Sequence, residues 1–214
     1  MPGLYSVCLK LADRPCLVVG GGEVAARKIK TLLAAGAQVT VVAHEVTDTI
    51  RELADKGLLR IHKRTVTGND IPGSFLVIAA TDDKDINSEI AKLADKERVL
   101  VNVVDSPEES DFYVPSSFHR GDLTLSVSTN GKVPALSKKI REQLEAQYGP
   151  EYAAYVDLLE RGRGKIYHDP HADVSEKKKR IENLLNIDLI SLLRDGKRDE
   201  AESVLNNFLQ KHGL

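Results

Sequence analysis

Short apolar runs alternate with amphipathic stretches along the first half of the chain. Continuous apolar runs predict buried β-strands, and apolar residues three or four positions apart predict helices. The predicted strands are residues 16–19, 39–42, 58–62, 75–79 and 100–104, and the predicted helices are 23–35, 46–56 and 85–96. Strands that are apolar throughout need cover on both faces. The pattern therefore predicts an α/β fold with a Rossmann-like, doubly wound parallel sheet, which binds ligands at the carboxyl ends of its strands.

The pattern changes near Asp111, where two short alternating runs and then a series of amphipathic helices follow. We expect strands at 112–118 and 123–127 around a turn at 119–122, a helix from Pro134 to about Tyr148, helix breaks at Gly162 and Gly164, a loop at 168–171, and helices at 177–193 and 199–211. The predicted domains are an N-terminal Rossmann domain at 1–111, a small α+β segment at 112–148 and a helical C-terminal domain at 149–214.

Composition narrows the class of protein. Of 214 residues, 42% are hydrophobic, which is enough for a core, and the 30 basic residues nearly balance the 32 acidic ones. This balance argues against a nucleic acid or an anionic membrane as the partner. No run approaches the roughly 18 apolar residues of a membrane span, and the first residues lack a secretory pattern, so we expect a cytoplasmic protein. Only residues 112–147 are net positive, with five basic and three acidic side chains.

A glycine-rich turn is the strongest local signal. Residues 19–25 fit G-x-G-x-x-A between a predicted strand and a predicted helix. Gly20 allows the tight turn, Gly22 lets a pyrophosphate approach the backbone, and the helix N-terminus supplies amide donors for the phosphates. The sequence therefore predicts a dinucleotide site. The alternative is a tight strand–helix turn without a ligand.

The end of the second predicted strand bears on the choice of dinucleotide. The motif requires an acidic residue about 20 positions further on, which holds the ribose hydroxyls. Here that strand ends in His44 and Glu45, so the acid comes slightly late. No arginine follows immediately to pair with a 2′-phosphate, which weakly favours NAD over NADP.

Other polar residues follow the later strands. Asp82 and Asp83 close the fourth predicted strand and are candidates for catalysis or for caps of the following helix. Asp105 closes the fifth strand and is a candidate for catalysis or for an acidic turn residue. Residues 126–134 combine hydroxyls, an Asn-Gly turn and a helix start, which suits either an anion site or an ordinary capped helix. His168 and His171 could bind a metal, but a surface loop is the preferred interpretation, and we predict no metal site.

Together these motifs resemble the precorrin-2 dehydrogenase family, the N-terminal module of siroheme synthases. The matching segments are residues 16–28, 32–37, 39–41, 79–83, 102–105, 112–117 and 126–136, leading into 141–142. The resemblance covers residues 1–148. The chain departs from it at residues 129–132, where many relatives have a Ser-Gly-Gly run, and this weakens any role carried over to Thr129.

The resemblance implies a fold, a reaction and a set of site residues. It implies that NAD contacts the glycine turn (Gly22, Glu23, Val24), which the motif extends to Gly20, and the end of strand two (His44, Glu45). It further implies that Thr81 lies near the nicotinamide and that Asp105 is catalytic. It also implies a homodimer formed through the middle segment. The implied reaction is oxidation of precorrin-2 to sirohydrochlorin, with NAD as the oxidant.

The implied substrate carries many carboxylates, so basic and hydroxyl side chains in the middle segment are expected to bind it. The candidates are His119, Arg120, Ser128 and Lys132, with Lys138, Lys139 and Arg141 as further clamps. Three alternatives stay open: an enzyme that also inserts ferrous iron, an NAD-sensing regulatory module, and a scaffold that binds no NAD. The C-terminal helices could cover the cleft, extend the dimer or dock a downstream chelatase.

Overall fold

The computed structural model describes residues 4–214 and divides the chain into two units, the first ending at Val114 and the second beginning at Pro115. Residues 1–3, where the predicted first domain begins, lie outside the described range. The separate division of residues 112–214 into two domains stays a prediction. None of the helices in the described range is long and apolar enough to cross a bilayer.

The first unit alternates strands and helices as predicted. Its elements are β1 (Pro15–Val19), α1 (Glu23–Ala34), β2 (Gln38–Val42), α2 (Asp48–Asp55), β3 (Leu59–His62), β4 (Leu76–Ala79), α3 (Lys84–Glu97) and β5 (Leu100–Val103), with 3₁₀ turns at Gly68–Asp70 and Pro107–Glu109. The five strands form one parallel sheet in the order β3-β2-β1-β4-β5. The predicted Rossmann-like, doubly wound sheet is therefore confirmed.

Alternate residues of the strands enter two different cores, which explains why the strands are apolar throughout. Val18 of β1 packs in a cluster with Ile29 of α1, whereas Leu17 and Val19 pack in a second cluster with Ile90 of α3. Each face of the sheet is thus covered by helices. The strand order reverses at β1, since β2 lies on one side of it and β4 on the other. That reversal opens a crevice at the carboxyl ends of β1, β2 and β4, where such sheets bind ligands.

The segment after β5 differs from the prediction. We expected a strand from residue 112, but β6 begins at Ser116. Residues 106–112 are instead held along β5: Asp111 accepts a hydrogen bond from the Val101 amide at 2.9 Å, and the Phe112 carbonyl accepts one from the buried Asn102 side chain. The second bond occupies the Phe112 carbonyl, a backbone group that an early strand would have used.

The second unit combines a hairpin with helices. Its elements are β6 (Ser116–Arg120), β7 (Leu123–Val127), α4 (Pro134–Gln147), α5 (Glu151–Tyr167), α6 (Val174–Leu185), α7 (Leu189–Arg194) and α8 (Arg198–Lys211). The two strands pair antiparallel, and α4 packs against both. The predicted turn is shorter than expected, because His119 and Arg120 belong to β6 and pair with Thr124 and Leu123.

Two predicted helix boundaries in the second unit are wrong. Gly162 and Gly164 do not interrupt a helix but lie within α5. Gly162 is buried, and a β-carbon there would lie 2.8 Å from Leu184 Cδ2, so the glycine allows α6 to pack closely. The single helix expected at 177–193 is two helices, because the chain breaks before α7, where the Asp188 side chain caps the new helix by accepting from the Ser191 amide.

Candidate functional site

A cavity of about 600 Å³ lies at the carboxyl ends of β1 to β4, within the first unit. Its wall is formed by residues 19–22, 42–47, 64–66 and 80–82 with Ile86. This volume falls within the roughly 300–1,000 Å³ of ordinary small-molecule sites. The structure thus brings together the predicted residues Gly20, Gly22, His44, Glu45 and Thr81.

The glycine turn is packed tightly between the ends of two strands. Gly20 has φ +118°, and a β-carbon on it would overlap the Ala80 carbonyl oxygen. A β-carbon on Gly21 would overlap the Glu45 carbonyl oxygen, and the Gly21 carbonyl accepts a hydrogen bond from the Thr47 amide at 2.9 Å. Sequence analysis assigned no role to Gly21, because its requirement arises from a loop 24 residues away.

Gly22 differs from Gly20 and Gly21 because, apart from its chain neighbours, no atom of residues 4–214 lies within 4 Å of the position of a β-carbon. Its backbone is therefore open to the cavity. It is the N-cap of α1, and no side chain caps that helix, which leaves the amides of the first turn available. An open backbone beside an uncapped helix N-terminus fits the pyrophosphate of a dinucleotide.

One end of the cavity carries polar side chains from the ends of β2 and β3. His44 Nε2 and Thr65 Oγ1 share a hydrogen bond of 2.9 Å, and the Glu45 side chain is exposed. Arg64 also belongs to the wall and donates two hydrogen bonds to the Asp70 carboxylate. These bonds hold the pKa of Asp70 well below its usual range. No sequence pattern pointed to Arg64, because the motif places an arginine for the 2′-phosphate near the end of β2, whereas Arg64 follows β3.

At the other end, the turn after β4 is held by a buried amide. Asn87 of α3 donates to the Thr81 carbonyl at 2.9 Å and accepts from the Thr81 amide at 3.2 Å. The Thr81 hydroxyl lies 2.8 Å from Asn87 Oδ1 and 2.9 Å from the Asp83 carbonyl. Asp83 caps α3 by accepting from the Asp85 and Ile86 amides, as one sequence interpretation proposed, whereas Asp82 belongs to the cavity wall.

A buried hydroxyl adds a further polar group to the wall. Thr47 Oγ1 is buried without a hydrogen-bond partner among residues 4–214, and Thr47 belongs to the wall beside Gly21. Buried polar atoms are costly to leave unpaired. A bound ligand with a donor or acceptor near the start of α2 would supply the partner.

Three predicted residues of the first unit lie outside the cavity wall. Glu23 and Val24 are in the first turn of α1, Glu23 exposed and Val24 partly exposed, so their contribution is through backbone amides. Asp105 is exposed in the turn after β5, and its φ of +62° is in the left-handed region. Such a conformation is uncommon for a residue with a side chain and concentrates at functional sites.

The predicted basic clamps in the second unit fall into two groups. Arg120 is committed to its own unit, since its guanidinium donates to the Tyr148 carbonyl at 3.0 Å and to the Glu145 carbonyl at 3.3 Å. Arg141 pairs with Glu142 and Glu145. The second group comprises the exposed side chains Lys132, Lys138 and Lys139, which form no ion pair within residues 4–214.

The remaining candidates of the second unit take part in local bonds. His119 Nδ1 and Thr124 Oγ1 share a hydrogen bond of 2.9 Å across the hairpin. Ser128 Oγ accepts from the Asn130 amide in the turn before α4, and Thr129 Oγ1 accepts from the Val133 amide at 3.0 Å. Thr129 therefore stabilises the start of α4, a structural use for the hydroxyl where the chain departs from the family pattern.

The loop with His168 and His171 is held by an ion pair. Asp169 accepts a hydrogen bond from Arg180 of α6 at 2.7 Å and another from the His171 amide. Within the described range, no three His, Cys, Asp or Glu side chains are grouped so that they could hold a metal ion.

Comparison with known proteins agrees with this arrangement. A family model for NAD(P)-binding proteins matches residues 7–116, and a model described as the central part of a sirohaem biosynthesis protein matches residues 120–147. The first match spans the cavity, and the second runs from the end of β6 through β7 and α4.

Several similar proteins are named for the same pathway. The siroheme synthase of Methylococcus capsulatus is 39% identical over 203 residues, covering 93% of this chain and 42% of that protein. The precorrin-2 dehydrogenase of Priestia megaterium is 39% identical over 156 residues, covering 73% of this chain and 77% of that protein. The solved structure of SirC, a precorrin-2 dehydrogenase, matches 95% of this chain and all of its own at 34% identity, with a TM-score of 0.75. This chain spans less than half the length of the siroheme synthases that it matches.

Proposed function

The chain belongs to the precorrin-2 dehydrogenase family, and on this premise we propose that it oxidises precorrin-2 to sirohydrochlorin with NAD⁺ as the oxidant, in the cytoplasm. The observation that carries the proposal is the glycine turn: an open Gly22 backbone and an uncapped helix N-terminus face a cavity at the point where the strand order reverses. NAD⁺ supplies the hydride acceptor when it is bound there.

The cavity supports one orientation of the dinucleotide. The pyrophosphate lies against Gly22 and the first amides of α1, because these donors have no other partner from a side chain. The adenosine extends towards His44 and Glu45, and the nicotinamide towards Thr81. Asn87 positions Thr81 through both of its backbone polar groups, so the nicotinamide end rests on a rigid turn.

Asp105 is proposed as the group that acts on the substrate. The oxidation removes two hydrogens, one as a hydride to NAD⁺ and one as a proton that needs an acceptor. Asp105 follows β5, and β5 pairs with β4, the strand that leads into Thr81. An exposed carboxylate at that end of the sheet can accept the proton or orient the macrocycle.

Lysines of the second unit are proposed to bind the carboxylates of the substrate. Lys132, Lys138 and Lys139 are preferred over Arg120 and Arg141, because the two arginines already have carbonyl or carboxylate partners. His119 and Ser128 remain candidates as exposed polar groups of the same unit. The lysines supply charge without a fixed geometry, which suits flexible acetate and propionate arms.

A homodimer is proposed on the basis of the hairpin. β6 and β7 pair only with each other among residues 4–214, and α4 packs against both of them. Each strand therefore has an unpaired edge that a second copy of the chain could extend.

The test is anaerobic turnover of precorrin-2 and NAD⁺, followed by the absorbance of NADH. The wild type should turn over, and Asp105→Asn should lose about 10²–10⁴-fold in kcat with unchanged affinity for NAD⁺. Glu108→Gln is the matched control, since it removes an exposed carboxylate three residues further on and should leave kcat unchanged. A folded wild type that binds NAD⁺ without turnover would support the regulatory alternative instead.

A further inference from the structure

An arginine stands in the cavity wall at the end proposed for the adenosine ribose. Arg64 and Thr65 follow β3, and His44 and Glu45 follow β2, so all four side chains start at one edge of the sheet. In dinucleotide sites of this fold, an arginine near the ribose accommodates the 2′-phosphate of NADP. The position of Arg64 therefore bears directly on which dinucleotide binds.

The guanidinium of Arg64 is already held by the protein. Its two terminal nitrogens donate to the two oxygens of Asp70 at 2.7 Å and 2.5 Å, and one of them also donates to the Thr65 carbonyl at 3.0 Å. A bidentate pair of this kind is the strongest arginine–carboxylate geometry. The positive charge is thus neutralised in place, and three of the five N–H donors of the guanidinium are occupied.

Asp70 is itself held by its own loop. It accepts hydrogen bonds from the Thr67 amide at 2.8 Å and the Thr67 hydroxyl at 3.0 Å, within the 3₁₀ turn before β4. The Asp70 side chain is 11% exposed, whereas that of Arg64 is 45% exposed. Asp70 is therefore the fixed member of the pair, and Arg64 is drawn towards it.

We propose that Asp70 determines the specificity of this site for NAD over NADP by occupying and neutralising Arg64. A 2′-phosphate at this end of the cavity would meet the Glu45 carboxylate, and Arg64, already neutralised by Asp70, would not compensate for that charge. An unmodified ribose meets no such repulsion. This inference rests on the proposed dinucleotide site, but it does not depend on which substrate the bound dinucleotide oxidises.

Removal of the Asp70 charge should release Arg64. Asp70→Asn keeps the size of the side chain and an acceptor for the Thr67 amide, and Asp70→Ser is a second variant with a smaller acceptor. Either one should bring the ratio of Kd for NADP to Kd for NAD down by about tenfold, the effect of one charge-assisted contact. The double variant Arg64→Met/Asp70→Asn restores a neutral wall and should return the ratio to that of the wild type.

A matched control is available in the same unit. Asp48 pairs with Arg51 on α2, and neither residue belongs to the cavity wall. Asp48→Asn therefore breaks an aspartate–arginine pair without releasing a guanidinium into the cavity, and it should leave the ratio unchanged. All affinities are measured by isothermal titration of the full chain with NAD⁺ and with NADP⁺.

The unmodified chain offers a second measurement. If the ribose end repels a 2′-phosphate, added salt screens that repulsion and improves the affinity for NADP⁺ relative to NAD⁺. A selective loss of NADP⁺ affinity with salt would overturn the inference, as would Asp70 variants that change both affinities equally. A wild type that binds neither dinucleotide would overturn the proposed function as well, whereas NAD⁺ binding with an unaltered ratio overturns this inference alone.

Discussion

Replacement of Asn87 by alanine tests how the nicotinamide end of the cavity is held. Asn87 is 5% exposed, and its side-chain amide makes two hydrogen bonds to the backbone of Thr81. The Thr81 hydroxyl makes a third, weaker hydrogen bond to Asn87, because its one proton is shared between Asn87 Oδ1 and the Asp83 carbonyl. Alanine removes every bond to Asn87 and leaves the Thr81 amide and carbonyl without their partner, whereas the Thr81 hydroxyl keeps the Asp83 carbonyl.

The expected cost can be worked out by comparison with a second buried asparagine. Asn102 is 6% exposed and makes one hydrogen bond, donated to the Phe112 carbonyl at 2.9 Å. Each such bond contributes about 0.5–1.5 kcal/mol, so Asn87→Ala should lower the free energy of unfolding by about 2–3 kcal/mol and Asn102→Ala by about 1 kcal/mol. The two changes remove the same atoms, so the difference reports the additional hydrogen bonds.

Two assays check the prediction. Urea unfolding should give a lower midpoint for Asn87→Ala than for Asn102→Ala, with equal slopes. In turnover, Asn87→Ala should raise KM for NAD⁺ more than it lowers kcat, because the turn at Thr81 loses its fixed position, whereas Asn102→Ala should leave KM for NAD⁺ unchanged. Equal losses of stability in the two variants, or unchanged KM in a folded Asn87→Ala variant, would refute the reasoning.

Two further predictions concern the thiols and the dependence of stability on pH. Burial raises the pKa of the Cys16 thiol to about 11, whereas Cys8 is exposed, so a thiol reagent should modify one cysteine in the native chain and the second only after unfolding, as counted by mass spectrometry. Rapid labelling of both would contradict the burial of Cys16. Hydrogen bonds from Arg64 lower the pKa of Asp70 from 3.8, so its contribution to stability should be present near pH 7 and lost as the pH falls below about 4. The midpoint of thermal unfolding should therefore be lower for Asp70→Asn than for the wild type at neutral pH, and the two midpoints should converge in acid. A difference in midpoint that does not change with pH would be evidence against the ion pair.

The elements of the first unit could be predicted because their signals are local. A strand such as β1 must be apolar at every position, since alternate residues enter cores on opposite faces of the sheet. The turn from Gly20 to Gly22 follows the strand directly and precedes the helix, so its position and chemistry could be identified together. The predicted ends of the elements were less accurate. A helix was expected from residue 46, but the backbone of Thr47 is extended and α2 begins at Asp48.

Helix breaks in the second unit show where local signals fail. Glycine has a low intrinsic helix propensity, and on that basis Gly162 was expected to end a helix. In the structure, the absence of a side chain lets Leu184 and Leu205 approach the helix, so packing compensates for the propensity. Nothing in the residues around Gly162 identifies those partners.

The sequence by itself determined the strand–helix alternation, the parallel sheet and the glycine turn, because hydrophobic period and turn chemistry depend on neighbours along the chain. Only the tertiary structure decided that Gly21 must accommodate the Glu45 carbonyl, that Asn87 holds Thr81, and that Asp70 neutralises Arg64. The first of these contacts joins turns brought together where β1 and β2 end, whereas the other two each join residues six positions apart, through the turn between β4 and α3 and the loop between β3 and β4. Their partners are selected by sheet order and loop geometry, which no local pattern in the sequence encodes.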